Sequence, residues 1–154
     1  MNIRKAEKSD KEKLLPLILE SQLFQKQELE KENIKKIDEY RKGVEENFNK
    51  WIEEKDKVYF VAEEDNYIVG YIFLMLDGVV SSTVSLSDLF VVSEKRKRGI
   101  AKKLIDYALE YAKSEGGDNI FLAVNKINDL AISFYKKAGF TEKEDGYTYL
   151  EKKL

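Results

Sequence analysis

Leu89-Phe90-Val91-Val92-Ser93-Glu94-Lys95-Arg96-Lys97-Arg98-Gly99-Ile100-Ala101 is the stretch on which the fold turns. An apolar run ends at Val92 and four consecutive cations follow it. Gly99 then opens a helix whose apolar positions Ile100, Leu104, Ile105, Ala108, Leu109 and Ala112 hold one face. The first turn of any helix leaves backbone N–H groups unpaired and carries partial positive charge. Gly99 and Ala101 add almost no side chain, so a ligand can approach that backbone, and Arg96, Lys97 and Arg98 place full charges beside it. The combination suits a phosphate or pyrophosphate. The spacing is neither that of a Walker loop nor that of the three-glycine dinucleotide fingerprint. Two other readings share these residues: a solvated basic turn, and nucleic-acid contact through residues 95–98.

Outward from this segment the periodicities alternate. Val84 and Leu86 are apolar on even positions, whereas Leu89 and Val91 are apolar on odd positions after Asp88. A bulge near Ser87-Asp88 explains that slip; a strand that becomes buried on both faces is the other reading. Asp77-Gly78 reads as a turn, and 58–64 with 67–76 as an antiparallel hairpin around Asp65-Asn66. Upstream, Leu29, Ile37, Tyr40, Val44, Phe48 and Trp51 mark a helix with one buried stripe. An earlier helix begins near Asp10, with Ser9 and Glu12 as its capping box, and carries Leu14, Leu17, Ile18, Ser21 and Gln25 on one face. Pro16 lies inside it and is expected to bend it. Residues 2–6 read as a short strand. Downstream, Gly116-Gly117 stop the helix, Ile120 to Val124 is a buried strand, and 128–138 is a short helix ended by Gly139. A last hairpin, 140–143 with 147–151, turns at Asp145-Gly146. The predicted order is β-α-α-β-β-β-α-β-α-β-β, a mixed α/β (α+β) fold with a largely antiparallel start.

Composition narrows the chemistry. The 154 residues predict one domain, 1–154, with 43% hydrophobic residues to build its core. Against 29 acidic residues stand 27 basic ones, so the formal charge of −2 argues against a nucleic-acid clamp. Cysteine and histidine are both absent, which removes disulfides, Cys or His metal ligands, thiol nucleophiles and Ser-His pairs. No metal is expected. The charged first ten residues hold no apolar signal core, and the longest apolar run, Ile68 to Leu76, is too short to span a bilayer. The expectation is a cytoplasmic protein with no membrane and no nucleic-acid partner.

Two blocks of the sequence resemble one family. Arg96-Lys97-Arg98-Gly99-Ile100-Ala101, three residues beyond the 89–92 run, resembles motif A of the GNAT superfamily of N-acetyltransferases: Arg or Gln, two residues, Gly, one residue, Gly or Ala. Asn128, two residues, Ala131, then Phe134-Tyr135 and Ala138-Gly139-Phe140 resembles its second block. The order of elements fits along the whole chain. The resemblance implies a GNAT-like sheet in which the strand at 84–92 splays from the strand at 119–125, with acetyl-coenzyme A as cosubstrate in the V-shaped gap. It places the pantetheine on the Leu89-Phe90-Val91 edge, through the backbone of Leu89 and Val91. The pyrophosphate would lie on the helix start, on Arg96, Arg98, Gly99 and Ala101, with Lys97 and Ile100 in the same cradle. Asn128 would touch the pantetheine arm. Ala101 replaces the commoner second glycine, Lys97 stands where glycine is frequent and Ser93 where proline is common. Homodimers are common in the family.

The implied reaction is direct acetyl transfer to a primary amine of a small molecule, polyamine or protein. A lysine-like amine with pKa near 10.4 must first lose a proton, at about 4.6 kcal/mol at pH 7. The leaving thiolate gains from an acid. Tyr135 is the expected acid: it lies two helical turns after Asn128, on the same side, with small Ala131 between them, and matches the family's acidic tyrosine. A packed aromatic is the alternative reading, for which Phe134 is the better candidate. Asp88, at the suspected bulge, is the expected base, with Glu63, Glu64 and Asp77 as rivals at strand ends. The alternative function is a catalytically silent module that senses coenzyme A.

Overall fold

The computed structural model describes residues 1–29, 37–76, 82–145 and 147–154, and their side chains except at 28, 29, 143–145 and 147–149. The turn expected at Asp77-Gly78 and the tip of the last hairpin at Gly146 lie outside the described residues. In chain order the elements are β1 (Asn2–Lys5), α1 (Lys11–Phe24), α2 (Ile37–Trp51), β2 (Lys57–Glu64), β3 (Tyr67–Leu76), β4 (Thr83–Val91), α3 (Ile100–Ser114), β5 (Asn119–Val124), α4 (Asp129–Lys137), β6 (Thr141–Asp145) and β7 (Tyr147–Lys153). That is the expected order. No helix among the described residues is long and apolar enough to cross a membrane.

The strands form one sheet in the order β1-β2-β3-β4-β5-β7-β6. Every neighbouring pair is antiparallel except β4 with β5. Side chains alternate across the sheet and feed two apolar layers. Val58, Phe60 and Ala62 of β2 with Ile72 and Leu74 of β3 meet the α3 stripe Ile100, Leu104, Ile105, Ala108 and Ala112 on one face. Tyr59, Val61, Tyr71 and Phe73 meet Leu14 and Ile18 of α1 and Val44 and Phe48 of α2 on the other. Each large apolar side chain buried this way contributes about 1.5–3 kcal/mol. On the second face Phe73 stacks on Tyr59 with ring centroids 4.1 Å apart and on Trp51 at 5.4 Å, so α2 is anchored by its last residue.

Two local expectations are corrected. The capping pair at the start of α1 is Glu7 and Asp10, not Ser9 and Glu12: Glu7 N–H donates to Asp10 Oδ2 at 2.8 Å, and a single 3₁₀ turn, Lys8–Asp10, leads into α1. Arg4 decides this, because its guanidinium grips both Asp10 oxygens at 2.7 and 2.8 Å and fixes the carboxylate there. Leu29 does not open the second helix. It ends a π turn, Gln25–Leu29, that extends α1, and α2 is described from Ile37.

Candidate active site

β4 controls the site. Its register against β3 runs from Gly70 opposite Val91 to Phe73 opposite Asp88, then jumps to Leu74 opposite Leu86. Ser87 is the extra residue, so the bulge reading holds and the doubly buried strand does not. The jump reverses side-chain parity. Val84 and Leu86 point into the α3 layer, whereas Asp88 and Phe90 share the face of Phe73 and Tyr71, beneath α1. Were Ser87 paired as an ordinary member of the ladder, Asp88 would share the face of Leu86, toward α3.

The same strand leaves its parallel neighbour. β4 and β5 pair only at Thr83 with Asn119, Val84 with Ile120 and Ser85 with Phe121. Beyond Ser85 they diverge around a cavity of about 940 Å³. Val92 N–H pairs with Val69 O on the β3 side, so by the alternation of the ladder the backbone of Leu89 and Val91 turns toward the gap. Gly70 allows the close approach on the β3 side: a Cβ there would lie 2.8 Å from the Phe90 carbonyl oxygen.

At the far end of β4 the chain reaches the start of α3. Gly99 is its N-cap with φ of 77° and brings no side chain to cap the first turn. The glycine is required by that left-handed backbone and not by crowding, since a Cβ at Gly99 would meet nothing within 4 Å. Lys97 also adopts positive φ, 62°, where the family commonly has glycine. The four cations diverge. Lys95 pairs with Glu64 Oε2 at 2.8 Å, and this holds the Glu64 carboxyl below its usual range, with smaller contributions from other charges including Arg98. Arg96 turns inward: its Nε donates to the Val91 carbonyl at 2.8 Å and its guanidinium lies 5.5 Å over the Phe90 ring. Arg96 and Ala101 line the cavity, whereas Lys97, Arg98, Gly99 and Ile100 lie outside its wall, and the Ile100 side chain is buried in the α3 layer.

The other wall is α4. Asn128 caps it, its Oδ1 accepting from Ala131 N–H at 3.1 Å. Asn128, Ala131 and Tyr135, spaced to share one side of the helix, line the cavity, and Phe134 lines it with them. Tyr135 is more buried than Phe134, the reverse of the packing expectation. Its ring meets Phe134 at 5.4 Å and Phe140 at 5.6 Å, both edge-on. Burial, then the charge of Asp88, push its phenol well above the ordinary tyrosine range. Tyr135 therefore keeps its phenol proton around neutral pH.

Asp88 stands across the gap. Ser21 Oγ donates to its Oδ1 at 2.9 Å and Gln25 Nε2 to the same oxygen at 3.4 Å, while the Tyr71 hydroxyl donates to Oδ2. Burial pushes the carboxyl above its usual range despite the opposing hydrogen bonds from Tyr71, Ser21 and Leu89 N–H. Of the rival acids, Glu63 is paired with Arg4 at 2.9 Å and Glu64 with Lys95, and Asp77 lies outside the described residues. Ser21 and Gln25 were legible only as one helical face. Tyr71 was missed, although a phenol inside the apolar run of β3 is a signal, because its hydroxyl needs a buried partner.

A divergent strand pair facing an uncapped, cation-flanked helix start is what the resemblance implied. The profile of the acetyltransferase (GNAT) family matches residues 21–140. The chain belongs to the GNAT family. An uncharacterized N-acetyltransferase of Methanocaldococcus jannaschii is 35% identical over 100 residues, covering 62% of this chain and 44% of that one. An uncharacterized N-acetyltransferase of Bacillus subtilis, YhfO, is 27% identical across 97% of this chain and 95% of its own. The chain thus spans less than half of the Methanocaldococcus relative, and 41% of human N-acetyltransferase 8. Among solved structures, the PaiA N-acetyltransferase of Thermoplasma acidophilum in complex with coenzyme A superposes with a TM-score of 0.77. It has 25% identity and covers 99% of this chain and 98% of that one. Of the expected site residues, Asp88, Arg96, Ala101, Asn128 and Tyr135 line one cavity, and Lys97, Arg98, Gly99 and Ile100 do not.

Proposed function

We infer that this GNAT chain is an acetyl-coenzyme A-dependent N-acetyltransferase acting on a primary amine by direct attack in a ternary complex. One observation carries the reading: β4 parts from β5 beyond Ser85, in front of an α3 N-terminus whose N-cap, Gly99, has no side chain to cap it. The residues fit the cosubstrate's two halves. The gap-facing backbone of Leu89 and Val91 suits an amide-bearing arm, and the α3 N–H groups with Arg96 suit a diphosphate. Lys97, Arg98, Gly99 and Ile100 belong to the same loop and helix start, and Asn128 meets the arm from the opposite wall. Bound acetyl-coenzyme A would supply an acetyl group activated as a thioester.

The chain's own groups handle two protons. Asp88, with its carboxyl raised above the usual range by burial, takes the proton that the acceptor ammonium sheds before its nitrogen forms the new C–N bond. Tyr135, kept protonated, gives its proton to sulfur as the C–S bond breaks. Small-molecule amines, polyamines and protein amines remain the acceptor classes of this reading. It further includes a single catalytic domain over 1–154, a cytoplasmic location and a homodimer, the last checked by light scattering.

Calorimetry with acetyl-coenzyme A and thiol release across a panel of amines test the proposal. Saturable binding with amine-dependent release is expected. Binding without release on any amine would make the chain a coenzyme A sensor, and no heat at millimolar cosubstrate would overturn both readings.

A further inference from the structure

Tyr71 is fully buried on the α1 side of the sheet, between the rings of Tyr59 and Phe90, each 6.2 Å away. A phenylalanine would fill the same space. The hydroxyl is therefore superfluous to packing, and a buried hydroxyl is retained only with a partner. That partner is Asp88 Oδ2. The second carboxylate oxygen is held by Ser21 from a different element, at 2.9 Å. Donors from β3 and α1, one on each oxygen, fix the plane of a carboxylate that the Ser87 bulge has already turned to this face. Gln25 Nε2, 3.4 Å from Oδ1, and the Leu89 N–H are the other donors, and the long Gln25 contact is the one a substrate proton would displace.

We propose that Tyr71 is a positioning residue for Asp88, acting with Ser21 to lock the orientation of its carboxylate at the cavity wall. The proposal rests on Asp88 being the base. Tyr71 is suited to the task because burial keeps it a donor, its phenol lying well above the ordinary range. Other titratable groups around Asp88 are Tyr59 from β2 and Tyr135 from α4, whose phenols feel its charge. Glu20 of α1, Arg96 and Lys126 line the same cavity.

The experiment compares Tyr71→Phe, Asp88→Asn and the double variant, measuring kcat/KM for the amine against pH and the Kd of acetyl-coenzyme A. A donor to the charged form lowers a carboxyl's pKa, so its removal raises it. Tyr71→Phe is expected to lower kcat about tenfold and to move the acidic limb upward by about one pH unit, with Kd unchanged. Ser21→Ala moves the limb the same way. Asp88→Asn abolishes the limb, and adding Tyr71→Phe to it changes nothing further. A limb that stays in place in Tyr71→Phe, or an equal drop in the Asp88→Asn background, overturns the positioning role alone. Wild-type rate and limb in Asp88→Asn overturn it together with the assignment of the base.

Discussion

Tyr135 and Asp88 belong to opposite faces of the sheet and line the same cavity. Tyr135 sits in the layer that includes α3, whereas Asp88 shares the face of Phe73 and Phe90 under α1. The gap between β4 and β5 joins the faces, and the carboxylate's charge reaches the phenol through it, adding to the effect of burial. An acid and a base on separate supports can each be tuned without moving the other.

Tyr135→Phe keeps the edge-on ring contacts and deletes only the proton. Turnover should fall tenfold or more, with the Kd for acetyl-coenzyme A little changed. Steady-state kinetics beside calorimetry separate the two quantities, and undiminished turnover would remove the acid role.

Asp88 links activity to stability with opposite signs. A carboxyl raised in the folded state binds its proton more tightly there than in the unfolded chain, so ionising it destabilises the fold. Stability contributed at this site is therefore lost as pH rises from the ordinary carboxylate range near 4 through the raised folded value. Asp88→Asn should be the slower enzyme and the more heat-resistant protein at neutral pH. Its Tm advantage should shrink toward about pH 4. Melting curves across that range test the sign, and an advantage that grows on acidification would contradict it.

Arg96 should discriminate between fragments of the cosubstrate. Its side chain is already anchored to the Val91 carbonyl and the Phe90 ring, so its charge is presented at a fixed place. Arg96→Ala is expected to weaken coenzyme A about ten- to a hundredfold, the size of a charge-assisted contact. Pantetheine, which lacks the diphosphate, should bind the variant as it binds the wild type. Equal losses for both ligands would place Arg96 elsewhere in the complex.

Gly70 offers a test of the strand itself. A methyl group there meets backbone at 2.8 Å and Val91 Cγ2 at 3.1 Å, so Gly70→Ala must push β4 toward the gap. A loss of about 1–3 kcal/mol in chemical denaturation is expected, accompanied by weaker acetyl-coenzyme A binding. Gly99→Ala lacks the clash but bears a left-handed backbone, and should lose about 1 kcal/mol.

Period and punctuation made the architecture readable. The shift from helical to alternating spacing after Trp51, and the parity slip at Ser87-Asp88, both correspond to elements in place. The site was legible where residues act through local sequence: Gly99 at a helix start, and Asn128, Ala131 and Tyr135 on one helical face. It was illegible where partners are brought together by tertiary contact. Tyr71 lies 17 positions from Asp88 and Ser21 lies 67 away. The cap at Glu7 escaped for a similar reason, because Arg4, itself held by the sequence-remote Glu63, decides where Asp10 sits. The basic run was misleading in its uniformity, since Lys95 is tied to Glu64 while Arg96 alone of the four lines the cavity.

The extra residue at Ser87 has an evolutionary corollary. Excising that codon would close the bulge and leave Leu86, Asp88, Leu89 and Phe90 in plain alternation, each on the face it already occupies. An ancestor lacking that triplet would have carried the same acid on the same face, so what the insertion contributes is the local kink and twist with which β4 approaches the gap.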